Sequence, residues 1–116
     1  MSLKTILASL TLTAALALPS PKNSGDITYY APGLGACGGT NADGDHIVAI
    51  SHLLWDSGSH CGHRMRITGS TGSIEATVVD KCPGCDRFSL DVSPVVFEAT
   101  VGQLGVGRDV GSWQWM

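Results

Sequence analysis

Two carboxylates carry the most chemistry that this sequence offers. Asp80 closes the apolar run Val78-Val79, and Asp91 stands just before Ser93-Pro94, a pair that opens a helix. Inverting cleavage of a glycosidic bond needs one carboxylic acid to protonate the leaving oxygen and one carboxylate to activate water, roughly 6.5 to 9.5 Å apart. Burial at the end of an apolar strand is expected to raise the pKa of Asp80 toward a working acid. The helix start after Asp91 is expected to favour its charge. Both residues also have structural uses: Asp91 can help cap the helix, and Asp80 can accept backbone hydrogen bonds in the turn toward Cys82. His52, in Ser51-His52-Leu53-Leu54-Trp55, is a third candidate, or else a surface imidazole on a capped turn. Tyr29, Tyr30 and Trp55 supply rings that can hold a sugar beside carboxylates. Trp113 and Trp115, two positions apart on one strand face, are read as packing.

Four cysteines, Cys37, Cys61, Cys82 and Cys85, form an even set in a small chain and read as two disulfides. The preferred pairing is Cys37 with Cys61 and Cys82 with Cys85, with Cys37 to Cys82 left open. Zinc ligation by these thiolates with His63 competes, but export to an oxidising compartment argues against it, and no metal is expected. The export signal is Lys4 followed by the uncharged apolar stretch Thr5 to Leu18, which contains the small-residue triplet Ala15-Leu16-Ala17. It is too short for a membrane span of roughly 20 residues, and Pro19 and Pro21 break any helix beyond it. Residues 1–17 are therefore expected to be a cleaved signal peptide, 18–25 a polar lead-in, and 26–116 the folded domain. The mature protein is expected to be secreted, free of the membrane and monomeric.

The elements that must position these residues follow from composition and pattern. Fifteen Gly in 116 residues, with 15% charged residues, favour turns and strands over long charged helices. A net charge of −3 without a basic block sets nucleic acid aside, and a 43% hydrophobic content sets disorder aside. Strands are expected at Asp26 to Tyr30, Ile47 to Ile50, His63 to Thr68, Ser73 to Val79 and Arg108 to Trp115. Gly69 to Gly72 turns the third into the fourth. A Gly-rich loop, Ala31 to Asp45, separates the first two, and His52 to Asp56 reads as one helical turn. Ser93-Pro94 starts the one convincing helix, running to about Thr100. About six short strands in all cannot bury a flat sheet at this size, so an all-β closed barrel with one or two short helices is expected.

Val78-Val79-Asp80-Lys81-Cys82-Pro83-Gly84-Cys85 and Leu90-Asp91-Val92-Ser93-Pro94-Val95-Val96-Phe97 resemble the double-psi β-barrel family. That family includes rare lipoprotein A, expansins, barwin-like proteins and related endoglucanases. Further likeness lies in Ile27-Thr28-Tyr29-Tyr30, Gly33 to Gly38, Val48 to His52 and Cys61-Gly62, and the chain looks most like small secreted single-domain fungal members. Some of these bear a riboflavin-related enzyme label, but no flavin fingerprint is present and no cofactor is expected. In the lytic transglycosylase branch, a His and an Asp serve at the positions matching His52 and Asp80, a pair that needs no activated water. Two departures from the expansin pattern weaken a catalytic site: Tyr30 stands where a Thr is usual, and Leu90 where a His precedes the Asp. No counterpart of the second, polysaccharide-binding domain of expansins is expected.

The expectation is a secreted or wall-associated protein that binds extracellular polysaccharide in a groove near Asp80 and Asp91 with little or no turnover. One alternative is a glycosidase or lytic transglycosylase using Asp80 with Asp91 or His52. The other is an effector or cysteine-protease inhibitor that meets a secreted protein target through the loop Ala31 to Asp45.

Overall fold

The computed structural model describes residues 21–116, so the proposed signal peptide, residues 1–17, lies outside the described residues. Six strands close into one barrel: β1 (Asn23–Tyr29), β2 (Ile47–Ser51), β3 (Arg64–Thr68), β4 (Ser73–Cys82), β5 (Leu90–Val92) and β6 (Asp109–Trp115). Among the described residues a single helix, α1 (Pro94–Thr100), follows β5, and two 3-10 turns occupy Asp56–Gly58 and Leu104–Val106. Around the barrel the order is β1-β5-β2-β4-β3-β6, returning to β1. β1 runs parallel to β5 and β2 parallel to β4, while the other neighbours are antiparallel. Closure leaves no sheet edge with unpaired backbone groups, which is how strands this short remain stable in water. This is the all-β double-psi barrel that the motifs suggested. No helix among the described residues is long and apolar enough to cross a membrane.

Alternation along the strands builds the core. Met65 and Ile67 of β3, Ala76 and Val78 of β4, and Leu90 and Val92 of β5 face inward with Ile27, Val48, Ile50 and Trp113. Helix α1 adds Val96 and Phe97 to this interior, and both are fully buried. Ser93 is the N-cap residue, as expected, but its hydroxyl donates to the Asp45 carbonyl instead of accepting from the helix. The helix is thus tied to the end of the Gly-rich loop. Cys37–Cys61 and Cys82–Cys85 are both bonded, in the preferred pairing. At a sequence separation of 24, the first should stabilise the fold by about 3.5 kcal/mol in the chain-entropy picture.

Several strand ends shift by one residue, and the helical turn expected at His52 to Asp56 falls instead at Asp56–Gly58; three larger departures arise because a neighbour decides where a strand runs. β1 starts at Asn23, since Asn23 to Ile27 pair with β6, and so it takes in part of the expected lead-in. β5 is a three-residue strand that residue patterning did not mark, held by β1 on one side and β2 on the other. β4 continues past Val79 to Cys82 through an irregularity: Val48 pairs with Val78, but the next residue, Ala49, pairs with Asp80. Val79 is the extra residue of a β-bulge, which breaks the two-residue alternation. Without it, Asp80 would follow Ala76 and Val78 into the apolar interior. With it, Asp80 is only half-buried and free to meet polar partners.

Candidate functional site

Register brings the two carboxylates together. Ala49 in the middle of β2 is the neighbour of Asp91 on one side and Asp80 on the other. Thr28 of β1 lies beyond Asp91 in the same row. Strands about 4.8 Å apart place the backbones of Asp80 and Asp91 roughly 10 Å from each other across this row. Ala49 between them is itself buried, so the strip separating the two aspartates is covered by the protein. The aspartates are therefore side by side on one outer face.

Asp80 is occupied by its own protein. Its Oδ1 accepts the Ala36 and Lys81 backbone N–H groups, both at 2.8 Å, and its Oδ2 accepts the Tyr30 hydroxyl at 3.1 Å. These bonds draw the Gly-rich loop onto the barrel. Cys37 N–H reinforces the contact by donating to the Val79 carbonyl at 3.1 Å. Gly35 is needed for the approach, because a Cβ there would lie 2.4 Å from the Val79 carbonyl oxygen. The structural use foreseen for Asp80, receiving backbone donors near Cys82, is the one present, extended to a loop that is remote in sequence.

Asp91 is less committed. Its Oδ1 accepts the Thr28 hydroxyl at 3.0 Å. Burial pushes its carboxyl above the ordinary carboxylate value, partly offset by the Thr28 bond, with the Asp80 charge adding to the rise and Arg108 opposing it. The expectation of a favoured charge at Asp91 is overturned, because the residue sits half-buried inside β5 and not at the mouth of α1. A cleft of about 370 Å³ opens beside it, bounded by Thr28, Asp26, Arg108 and the Cys82–Cys85 turn. Arg108 crosses this rim to Asp26 at 2.7 Å. Tyr30 responds to both carboxylates. Burial, the Asp80 charge and hydrogen bond, and Asp91 together drive its phenol far above the usual range, so it stays a proton donor.

The remaining candidates separate. Tyr29 points away from Tyr30, as alternation requires, and packs its ring on Phe97 with centroids 4.8 Å apart. It belongs to the core side and not to the carboxylate face. Trp55 rests partly against the core, with the Lys81 ammonium 5.5 Å from its ring centroid, which places it near the end of β4. His52 is exposed on a turn whose cap is the Ser51 hydroxyl, which accepts the Leu53 N–H at 3.0 Å. Its imidazole has no hydrogen bond to Asp80 among the described residues. Trp113 is buried and donates its indole N–H to the Phe88 carbonyl at 2.9 Å, so it packs as expected. Thr28 was missed by the sequence reading. Its signal was parity alone: Thr28 and Tyr30 alternate with the inward Ile27 and Tyr29.

No protein-family model matches the chain. An EG45-like domain containing protein of Citrus jambhiri is 32% identical over 89 residues, covering 65% of this chain and 68% of that protein. An Asp f 7 allergen homolog of Arthroderma benhamiae is 37% identical over 93 residues, covering 75% of this chain and 32% of the relative. Among solved structures, a Clavibacter michiganensis expansin in complex with cellohexaose matches with a TM-score of 0.75 at 27% identity, covering 83% of this chain and 50% of that one. The Streptomyces papain inhibitor matches with a TM-score of 0.73 at 28% identity, covering 84% and 96%. The chain thus belongs to the double-psi β-barrel family of expansin-like and EG45-like proteins. It spans about a third of the allergen relative and half of the expansin.

Because the folded protein favours the neutral form of Asp91, this group contributes stability at low pH that is lost as pH rises through its raised folded-state pKa. Asp91→Asn keeps an oxygen for Thr28 and removes the charge. Urea unfolding should show the variant more stable than the native protein at pH 7, with the advantage shrinking as pH falls into the carboxylate range. An advantage that grows on acidification contradicts the assignment.

Proposed function

We propose that this is an exported protein that holds a polysaccharide chain across the Asp80–Asp91 face with little or no turnover. The observation that carries the reading is the commitment of Asp80. Three donors occupy its oxygens, two on Oδ1 and one on Oδ2, so its geometry is set by bracing the loop, with one acceptor site left on Oδ2. Asp91, with an open cleft beside it and a raised pKa, is left as a hydrogen-bonding group for sugar hydroxyls, and the Tyr30 phenol lies close by. The cellohexaose in the expansin relative supports a glucan-type ligand. Transglycosylation through His52 finds no support in the geometry, since the imidazole makes no hydrogen bond to Asp80 among the described residues. Both disulfides suit an oxidising compartment outside the cell.

The protein should be retained saturably on at least one of insoluble cellulose, chitin or peptidoglycan. Asp91→Ala should weaken that retention about five- to tenfold, the worth of one or two hydrogen bonds, and mass spectrometry should find no soluble fragments. Absence of retention on all three removes the proposal. Fragments that vanish in Asp80→Asn make the protein an enzyme instead.

A second reading has its own observation. Leu34 is 77% exposed between Gly33 and Gly35, on a loop stapled by Cys37–Cys61 and closed by the Leu34–Thr40 bridge. A rigid loop presenting one bare apolar side chain is a shape that fits a protein pocket, and the papain inhibitor shares this fold. Inhibition of papain by the native protein, reduced at least tenfold in Leu34→Ser, is the expected result of this reading. Equal inhibition by the variant, or none by the native protein, rejects it.

A further inference from the structure

On the side of the barrel built by β3 and β6, His60 and His63 meet with their Nδ1 atoms 3.4 Å apart. We infer that this pair is a binding site for a late first-row divalent cation, Cu²⁺ foremost. The spacing is that of two ligands on one ion: at metal–nitrogen distances of 2.0 to 2.1 Å, a tetrahedral angle separates the nitrogens by roughly 3.3 Å. Imidazole nitrogen is a borderline donor suited to zinc, copper and nickel, and the order of divalent affinities puts copper highest; its tetragonal preference asks for cis nitrogens roughly 2.9 Å apart, a small closure that rotation of the exposed His63 ring supplies.

Chance proximity of two surface imidazoles leaves both free to rotate, but here the arrangement is built. The His63 N–H donates to the His60 carbonyl at 3.0 Å, closing a turn between them. Inside that turn, Cys61 is fixed by its disulfide to Cys37, and Gly62 takes a φ of 82°. Gly62 N–H donates to the Val78 carbonyl and Val78 N–H to the His63 carbonyl, both at 2.9 Å, so the turn is laced to β4. The His60 ring lies flat on Trp115, with centroids 4.6 Å apart and planes within 10°. Trp115 in turn meets Trp113 edge-on at 5.0 Å. The turn and the His60 ring are thus held, and the ordering left for an ion falls on the exposed His63 side chain.

The neighbouring charge is also accommodated. Arg64, next in sequence to His63, is paired with Glu75, which Arg66 also approaches at 3.6 Å. No group of three or more His, Cys, Asp or Glu side chains gathers among the described residues. The ion would therefore keep two or more positions for water or an outside ligand. This site is independent of the Asp80–Asp91 face and stands or falls apart from it.

Copper(II) titrated into the secreted, disulfide-bonded protein at pH 7.5 provides the test, read by tryptophan fluorescence and electron paramagnetic resonance. The expected result is saturable 1:1 binding with quenched emission and a signal showing two nitrogen ligands. His63→Gln and His60→Phe, the second keeping an aromatic ring on Trp115, should each lower affinity at least tenfold while the thermal midpoint stays close to native. Copper affinity unchanged in both variants, or no saturable 1:1 binding by the native protein, overturns the site.

Discussion

The Asp80 carboxylate is the joint on which the outer face of this barrel depends. It sits where β4 is thrown out of alternation by Val79, and it gathers the Ala36 and Lys81 amides and the Tyr30 phenol. One bond runs to a loop forty-four residues away in sequence, and one to the end of β1 fifty residues away. Charge-assisted hydrogen bonds of this kind are roughly twice as strong as neutral ones. They supply a long Gly-rich loop with the enthalpy that its composition lacks. The disulfide Cys37–Cys61 then limits what the loop can do in the unfolded chain, so two different physical devices converge on the same segment.

From that joint follows the inequality of the two aspartates. Side by side across Ala49, they would be interchangeable by sequence type, yet one is wrapped in donors and the other has a single hydroxyl partner and a cleft. Tyr30 stays protonated beside both and acts as a donor wedge. The proposed polysaccharide reading uses this face, a braced carboxylate, a raised carboxylate and a protonated phenol, as its hydrogen-bonding surface. The fold is shared with an expansin and a papain inhibitor, so the function rests on these side chains and not on the barrel alone.

Much of this was legible before any coordinates. Alternation in His63 to Thr68 and Ser73 to Val79 marked a hairpin, Ser93-Pro94 marked the helix, and the even cysteine count marked two bridges. The Val-Val-Asp and Leu-Asp-x-Ser-Pro segments identified the barrel. What was not legible depended on pairing between distant strands. The three-residue β5 carries no period of its own, so Asp91 was read as a helix-start residue when it is a strand residue. The bulge at Val79 is invisible without its partner Ala49, although it decides which way Asp80 faces. Tyr29 and Tyr30 looked equivalent in composition, and only parity with the buried Ile27 sends one ring to Phe97 and the other to Asp80.

The central claim, that Asp80 braces the loop, is tested most directly by amide hydrogen exchange of Ala36 and Cys37 in the native protein and in Asp80→Ala. Ala36 N–H has the carboxylate as its acceptor, whereas the core amides of β3 do not depend on it. The account predicts exchange at Ala36 and Cys37 at least tenfold faster in the variant, with β3 protection unchanged. Equal protection of the two loop amides in both proteins would contradict it.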